Sequence, residues 1–223
     1  MIKIELQFFG GRGAGSGLPE SNPSGGGGGR PTGMDAQPGM AANTAEALGP
    51  KGRPMSVDSA VGGANPLYNM GAEYQYNCQR AAGATEARFR GYNVQALPTF
   101  DNDTMPQNNN YLDMFVGGRK AMQQINGSTS GSTKRKVEAA MKQHGNGSRA
   151  LLAVTWSGGR NGHVINVVQR NGKTHYYDGQ DGTKVNASSL FKAISKSAGV
   201  RLTRVDNLPF SDITNQVLKR KGK

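Results

Sequence analysis

A chain of 223 residues with 33 glycines, 35% hydrophobic residues and a net charge of +12 has room for one domain or two small ones. Its single cysteine excludes an internal disulfide and suits a reducing compartment. No run is long and apolar enough to span a membrane, and no apolar core with a small-residue cleavage site opens the chain, which leaves out a signal peptide.

Met1 to Phe9 alternates apolar and polar residues, with Ile2, Ile4, Leu6 and Phe8 on one face, and reads as a short leader strand. A strand with nothing of its own to pair with can add to the sheet edge of another protein. Residues 10–63 are rich in glycine, proline, serine, asparagine and alanine, including the tract Gly25 to Gly29. Such a segment buries too little apolar surface to offset its ordering entropy, so a disordered tether is expected. Residues 64–223 then form the folded domain. From residue 62 onward the chain holds 22 Lys and Arg against 10 Asp and Glu, the whole of the excess charge. Apart from Lys134-Arg135-Lys136 and the tail Lys219-Arg220-Lys221-Lys223 these residues are scattered. No nucleic-acid motif accompanies them, so a solvated basic surface is expected and no specific nucleic-acid site.

Cys78 to Arg88 reads as a helix of alanines and arginines closed by Gly91. Tyr92 to Leu97 alternates like a strand and ends at Pro98. Residues 107–119 read as loop with a helical turn over Tyr111 to Phe115. A second helix runs to His144 with Thr133 as its N-cap and Gly145 after its end. Ala150 to Trp156, Gly162 to Arg170 and Lys173 to Gln180 read as strands, and Asn171-Gly172 between the last two is a strong hairpin signal. A helix from Ser188 to Ser197, an edge strand from Val200 to Val205 and a helix from Asp212 to Lys219 complete the chain. Helix first and antiparallel meander later is an α+β arrangement.

The hairpin fixes a geometry. A two-residue turn at Asn171-Gly172 pairs Arg170 with Lys173, Val168 with His175 and Asn166 with Tyr177. Continued outward, it sets Ile165 opposite Asp178 and His163 opposite Gln180. Opposed residues share a face, so His163 has Gln180 across from it and Asp178 one diagonal step away. His175 falls on the other face, and a one-residue slip would reverse the assignment. His144, in the last turn of a helix, suits the dipole there. Cys78 starts a helix, where the N-terminal dipole favours a thiolate, and a histidine oriented by a carboxylate completes the activation of such a nucleophile. For each residue there is a structural alternative. Cys78 is a buried small hydrophobe, Asp178 a turn residue, and Gln180 a cross-strand partner without chemistry. Three scattered histidines and one cysteine have no zinc-ligand spacing, and no metal or cofactor is expected.

Cys78 at a helix start, Gly162-His163 before an apolar strand, and Tyr177-Asp178-Gly179-Gln180-Asp181-Gly182 after the Asn-Gly turn resemble the papain-fold toxin domains, a group that includes bacterial glutamine deamidases. Arg90 to Pro98 and Gly147 to Trp156 are similar to the corresponding segments of that family. The resemblance implies a papain-like cysteine hydrolase core, a helix bearing the nucleophile followed by an antiparallel sheet. Position by position it implies Cys78 as nucleophile, His163 as general base and Asp178 as its orienter. The papain-type oxyanion glutamine lies farther upstream of the cysteine than Gln75 does. Asn77, Gln75, Gln180 and backbone N–H groups therefore stand as supporting or oxyanion candidates.

The activity implied is hydrolysis of a protein amide, as a protein glutamine deamidase or as a peptidase or acyl transferase of the same fold. The partner is then a protein substrate in the cytoplasm of a target cell. The leader resembles N-terminal segments of head-associated phage proteins, which implies carriage on a phage particle or larger carrier through residues 1–9. It also leaves a catalytically inert, virion-associated interaction protein as the alternative from another class.

Overall fold

The computed structural model describes residues 39–99, 105–106, 109–158, 161–195 and 198–221. The leader strand expected at Met1 to Phe9 and residues 10–38 of the expected tether lie outside this range. Helices α1 (Ala42–Leu48), α2 (Val57–Gly62) and α3 (Ala72–Gln75) lead into α4 (Cys78–Phe89). Strand β1 (Val94–Ala96), a 3-10 turn at Tyr111–Met114, β2 (Met122–Ile125) and α5 (Ser130–His144) follow. Then come β3 (Arg149–Thr155), β4 (Gly162–Arg170), β5 (Lys173–Asp178) and β6 (Thr183–Lys184). The last elements are α6 (Ala187–Ala193), β7 (Val200–Arg204), α7 (Thr214–Val217) and β8 (Leu218–Arg220).

Six strands form an antiparallel sheet in the order β2-β7-β3-β4-β5-β6. Alternate residues of β3 serve two cores. Leu151 and Ala153 join Val164 against the alanines of α4. Leu152 and Val154 join Ile165 and Val167 against Val137 and Met141 of α5 and Leu190 and Phe191 of α6. With both faces covered, β3 and β4 are buried along nearly their whole length, which is why they read as continuous apolar runs. The hairpin is a primed turn: Asn171 and Gly172 have φ of 52° and 72°, and the register is Arg170–Lys173, Val168–His175, Asn166–Tyr177.

The central element is α4, with eleven of its twelve residues buried, so its charged side chains must be paired inside. Glu86 accepts from Arg90 Nε at 2.6 Å and Arg149 Nε at 2.8 Å. Arg88 donates to Ser59 O at 2.9 Å and Val94 O at 3.0 Å. Gly91 ends the helix at φ 101°, and a Cβ there would strike Gly52 O.

Several expectations are corrected. The second half of the expected tether is folded: Thr44, Ala45 and Leu48 of α1 and Ala60 and Val61 of α2 are buried. Helix α2 packs directly on α4 and α1 on β8. Helix α5 starts earlier than Thr133. Its N-cap is Thr129, in a reciprocal box with Ser132. Strand β7 is not an edge, because Met122 to Ile125, exposed at three of four positions, pairs outside it. The last helix spans only Thr214–Val217, and the chain turns to strand at Leu218 to pair with β1. Helix α6 stops at Ala193, where Ile194 bridges Trp156.

Candidate active site

Cys78 is the first residue of α4 and is 2% exposed. Asn77 precedes it without capping the helix by its side chain. That amide points elsewhere: Nδ2 donates to Asn65 Oδ1 at 3.0 Å and to Leu97 O at 3.2 Å, and Oδ1 accepts from Asn65 Nδ2 at 3.1 Å. The first N–H groups of α4 are thus left without a side-chain cap, at the end of the helix where the dipole favours negative charge.

His163 is the second residue of β4 and is 8% exposed. Its Nε2 lies 2.5 Å from Asp178 Oδ2, at the end of β5. Its ring stacks on Trp156, with centroids 6.0 Å apart and planes at 22°. Cys78 also acts electrostatically on the same ring. Burial pushes the imidazole pKa down. The charges of Asp178 and Cys78, with hydrogen bonds to both, outweigh that and hold it well above its ordinary value. The imidazolium form is therefore favoured between the two acidic groups.

The turn after β5 holds Asp178 in place. Asp178 Oδ1 accepts from Gln180 N at 2.9 Å. Gly179 runs against α4 so closely that a Cβ would collide with Thr85 Oγ1 and lie 2.9 Å from Ala81 O. Gln180 is not opposite His163 as the extended pairing had it. The β4–β5 ladder ends at Asn166–Tyr177, and the chain turns at 179–182 so that Asp178 pairs with Thr183. Gln180 Nε2 instead donates to Gln75 O at 2.6 Å, and Gln75 Nε2 donates to Tyr68 O at 3.3 Å. The amides of Asn77, Gln75 and Gln180 thus all bond to protein groups around the cysteine.

A cleft of about 490 Å³ adjoins the pair, bordered by Trp156, His163, Ile165, Asp178, Asp181 and Leu190 among others. Cys78 is not in its wall. The Asp181 carboxyl is pushed up by burial and then by the charge of Asp178. An apolar wall from Trp156, Ile165, Val185 and Leu190 stands beside polar groups that include His163, Asp178, Gln180, Asp181 and Lys184, a mixture that suits a ligand. Among the described residues no group of three or more His, Cys, Asp or Glu could hold a metal ion, and no helix is long and apolar enough to cross a membrane.

Two residues beside the site carried no sequence signal. Trp156 lies two positions beyond Val154, the β3 partner of His163, but the five-residue loop Ser157 to Asn161 after it is not a two-residue turn that fixes a register. Asn65 fell at the edge of the expected tether.

A family model described as papain fold toxin 1, glutamine deamidase, matches residues 76–183. Among solved structures, the crystal structure of the Pseudomonas avirulence protein AvrPphB is similar at 16% identity, over 60% of this chain and 70% of that one, with a TM-score of 0.29. A likeness of that degree decides nothing about chemistry. No curated protein matches the chain. The core is papain-like: a buried helix with a cysteine at its first position, followed by an antiparallel sheet that carries the histidine.

Proposed function

We propose that the protein is a cysteine amidohydrolase, a protein glutamine deamidase with Cys78, His163 and Asp178 as its catalytic residues, because residues 76–183 match the papain-fold toxin family model. The observation that carries the reading is the contact of His163 Nε2 with Asp178 Oδ2 at 2.5 Å, with Cys78 among the groups that raise the pKa of the same ring. That is the order nucleophile, base, orienter.

The chemistry follows from those atoms. The Cys78 thiolate attacks the carboxamide carbon of a substrate glutamine. The oxygen of the tetrahedral adduct is received by N–H groups at the start of α4, since the nearby side-chain amides already serve protein partners. His163, as imidazolium, gives its proton to the nitrogen as the C–N bond breaks, and ammonia leaves. A water molecule, losing a proton to His163, attacks the thioester and frees glutamate and the thiol. Asp178 keeps the ring oriented and stabilises its charge throughout.

The test is expression of the wild type and Cys78→Ala in bacterial and eukaryotic cells, followed by proteome-wide mass spectrometry. Glutamine-to-glutamate conversion that depends on Cys78 is the expected result. New protein termini in place of conversions would make the enzyme a peptidase of the same fold. Identical proteomes would leave an inert interaction protein.

A further inference from the structure

We infer that Asn65 is a positioning residue of this site, an amide clasp that ties the start of α4 to the turn carrying Asp178. The inference rests on the catalytic reading of Cys78, His163 and Asp178 given above. Asn65 lies outside the family match, which begins at residue 76.

The clasp is buried and complete. Asn65 is 5% exposed. Its amide and that of Asn77 bond reciprocally, at 3.1 Å and 3.0 Å. The same Nδ2 also lies 2.8 Å from Tyr74 O and 2.9 Å from Gln180 O, so its two N–H groups are shared among three acceptors. One side chain thereby holds the segment before Cys78, the residue adjoining Cys78, and the turn after Asp178. Gln180 closes the circuit through its own bonds to Asp178 Oδ1 and Gln75 O. Asn65 is itself fixed, since Ala96 N of β1 donates to the neighbouring Ala64 O at 2.8 Å.

The need for such a clasp is geometric. Cys78 and His163 sit on a helix end and a strand, with no ladder between them. Asn166 Nδ2 bonds Ala82 O and fixes α4 one turn further on, but a helix end still frays unless its own first residues are held. A buried amide that satisfies several backbone carbonyls is costly to remove, because each partner is left unpaired. The result is a site in which thiol, imidazole and carboxylate keep their spacing without substrate.

The test uses the full chain with isotope-labelled histidine. Three histidines give three resolvable imidazole titrations by NMR. Asp178, Cys78 and Asp181 are the titratable groups acting on or beside His163. In Asn65→Ala, the His163 titration should fall toward the ordinary value of about 6.5, while His144 and His175 stay where they are. Turnover of glutamine substrate should drop between about tenfold and a hundredfold, as expected for a misplaced catalytic group. Asn65→Ser, which keeps a short hydrogen-bonding side chain, serves if the alanine variant does not fold and should fall between the two. Thr44→Ala is the control. It removes a comparable bond, to Asp212, from the same N-terminal segment, and should lower Tm without moving His163. An unchanged His163 titration in both Asn65 variants overturns the clasp and leaves the catalytic reading standing. An ordinary His163 titration in the wild type overturns both.

Discussion

His163 and Asp178 are brought together by the end of a ladder rather than by a rung. The last β4–β5 pair is Asn166–Tyr177, and Asp178 then turns away with β6 yet keeps Oδ2 at 2.5 Å from the ring. Removing only the charge tests that relationship. Asp178→Asn should fold with nearly the wild-type Tm and lose about a hundredfold or more of turnover, because an amide neither fixes the tautomer nor stabilises the imidazolium. Full activity in that variant would reduce Asp178 to a turn residue.

The three histidines should separate cleanly. His163→Ala should cost about a hundredfold to ten-thousandfold in rate, the usual worth of a general acid–base. His175 stacks on Tyr177 across the ladder from Val168, and His144 ends α5. Alanine at either should leave the rate within a factor of about two. Comparable losses at His175 would place the chemistry on the wrong face of the hairpin.

Stability should depend on pH through His163. Its folded pKa lies well above the unfolded one, with burial opposing and the charges of Asp178 and Cys78 prevailing. A raised pKa means the folded state holds the extra proton. The stabilising contribution is then fully present below about 6.5 and is lost as pH rises through the folded value. The Tm difference between wild type and His163→Gln should therefore be largest on the acid side and shrink in alkali. A difference that grows with pH would reverse the sign and the assignment.

Gly179→Ala should impair the enzyme without touching a catalytic group. A Cβ at 179 meets Thr85 and the Ala81 carbonyl on α4, so the turn must retreat and carry Asp178 with it. We expect a loss of about 1–3 kcal/mol in stability from the overpacking, together with reduced turnover. The double variant Gly179→Ala, Thr85→Ser should remain impaired, because the hydroxyl that blocks the site is retained. Thr85→Ala in that background should restore part of the loss.

Truncation should respect the folded segment. A chain starting at residue 39 should keep its fold, whereas one starting at residue 64 should not. Leu48 and Val61 are each 2% exposed, and burial of such side chains contributes about 1.5–3 kcal/mol apiece against a net stability of only about 5–15 kcal/mol. Limited proteolysis followed by N-terminal sequencing gives the answer. A stable, active core beginning beyond residue 62 would return α1 and α2 to the tether.

What was legible in the sequence is what local chemistry dictates. Asn171-Gly172 permits two successive positive φ values, and that alone set the register that separates His163 from His175. The alanine-rich run bounded by Gly91 announced α4, and with it the place of Cys78. The hidden parts depend on distant partners. Gly, Ala and Ser in residues 39–63 read as tether because nothing nearby shows that they lie against α4 and β8. Met122-Gln123-Gln124-Ile125 is too polar to announce a strand until β7 is there to pair with it. The part Asn65 plays is set by residues 74, 77 and 180, and no spacing rule connects those four.

The pairing of β1 with β8, Val94 with Arg220 and Ala96 with Leu218, has a consequence in time. The strand directly after α4 finds its partner only when more than a hundred further residues have been made, and contacts that distant form slowly. Helices can appear early, but the packing around the start of α4 closes only at the end of folding. A synthesising cell thus meets an unassembled enzyme for most of the chain's production. Refolding monitored by circular dichroism alongside Cys78 accessibility should show helix signal returning first and thiol protection lagging behind it. Simultaneous recovery would mean that the helix is caged before its last strand arrives.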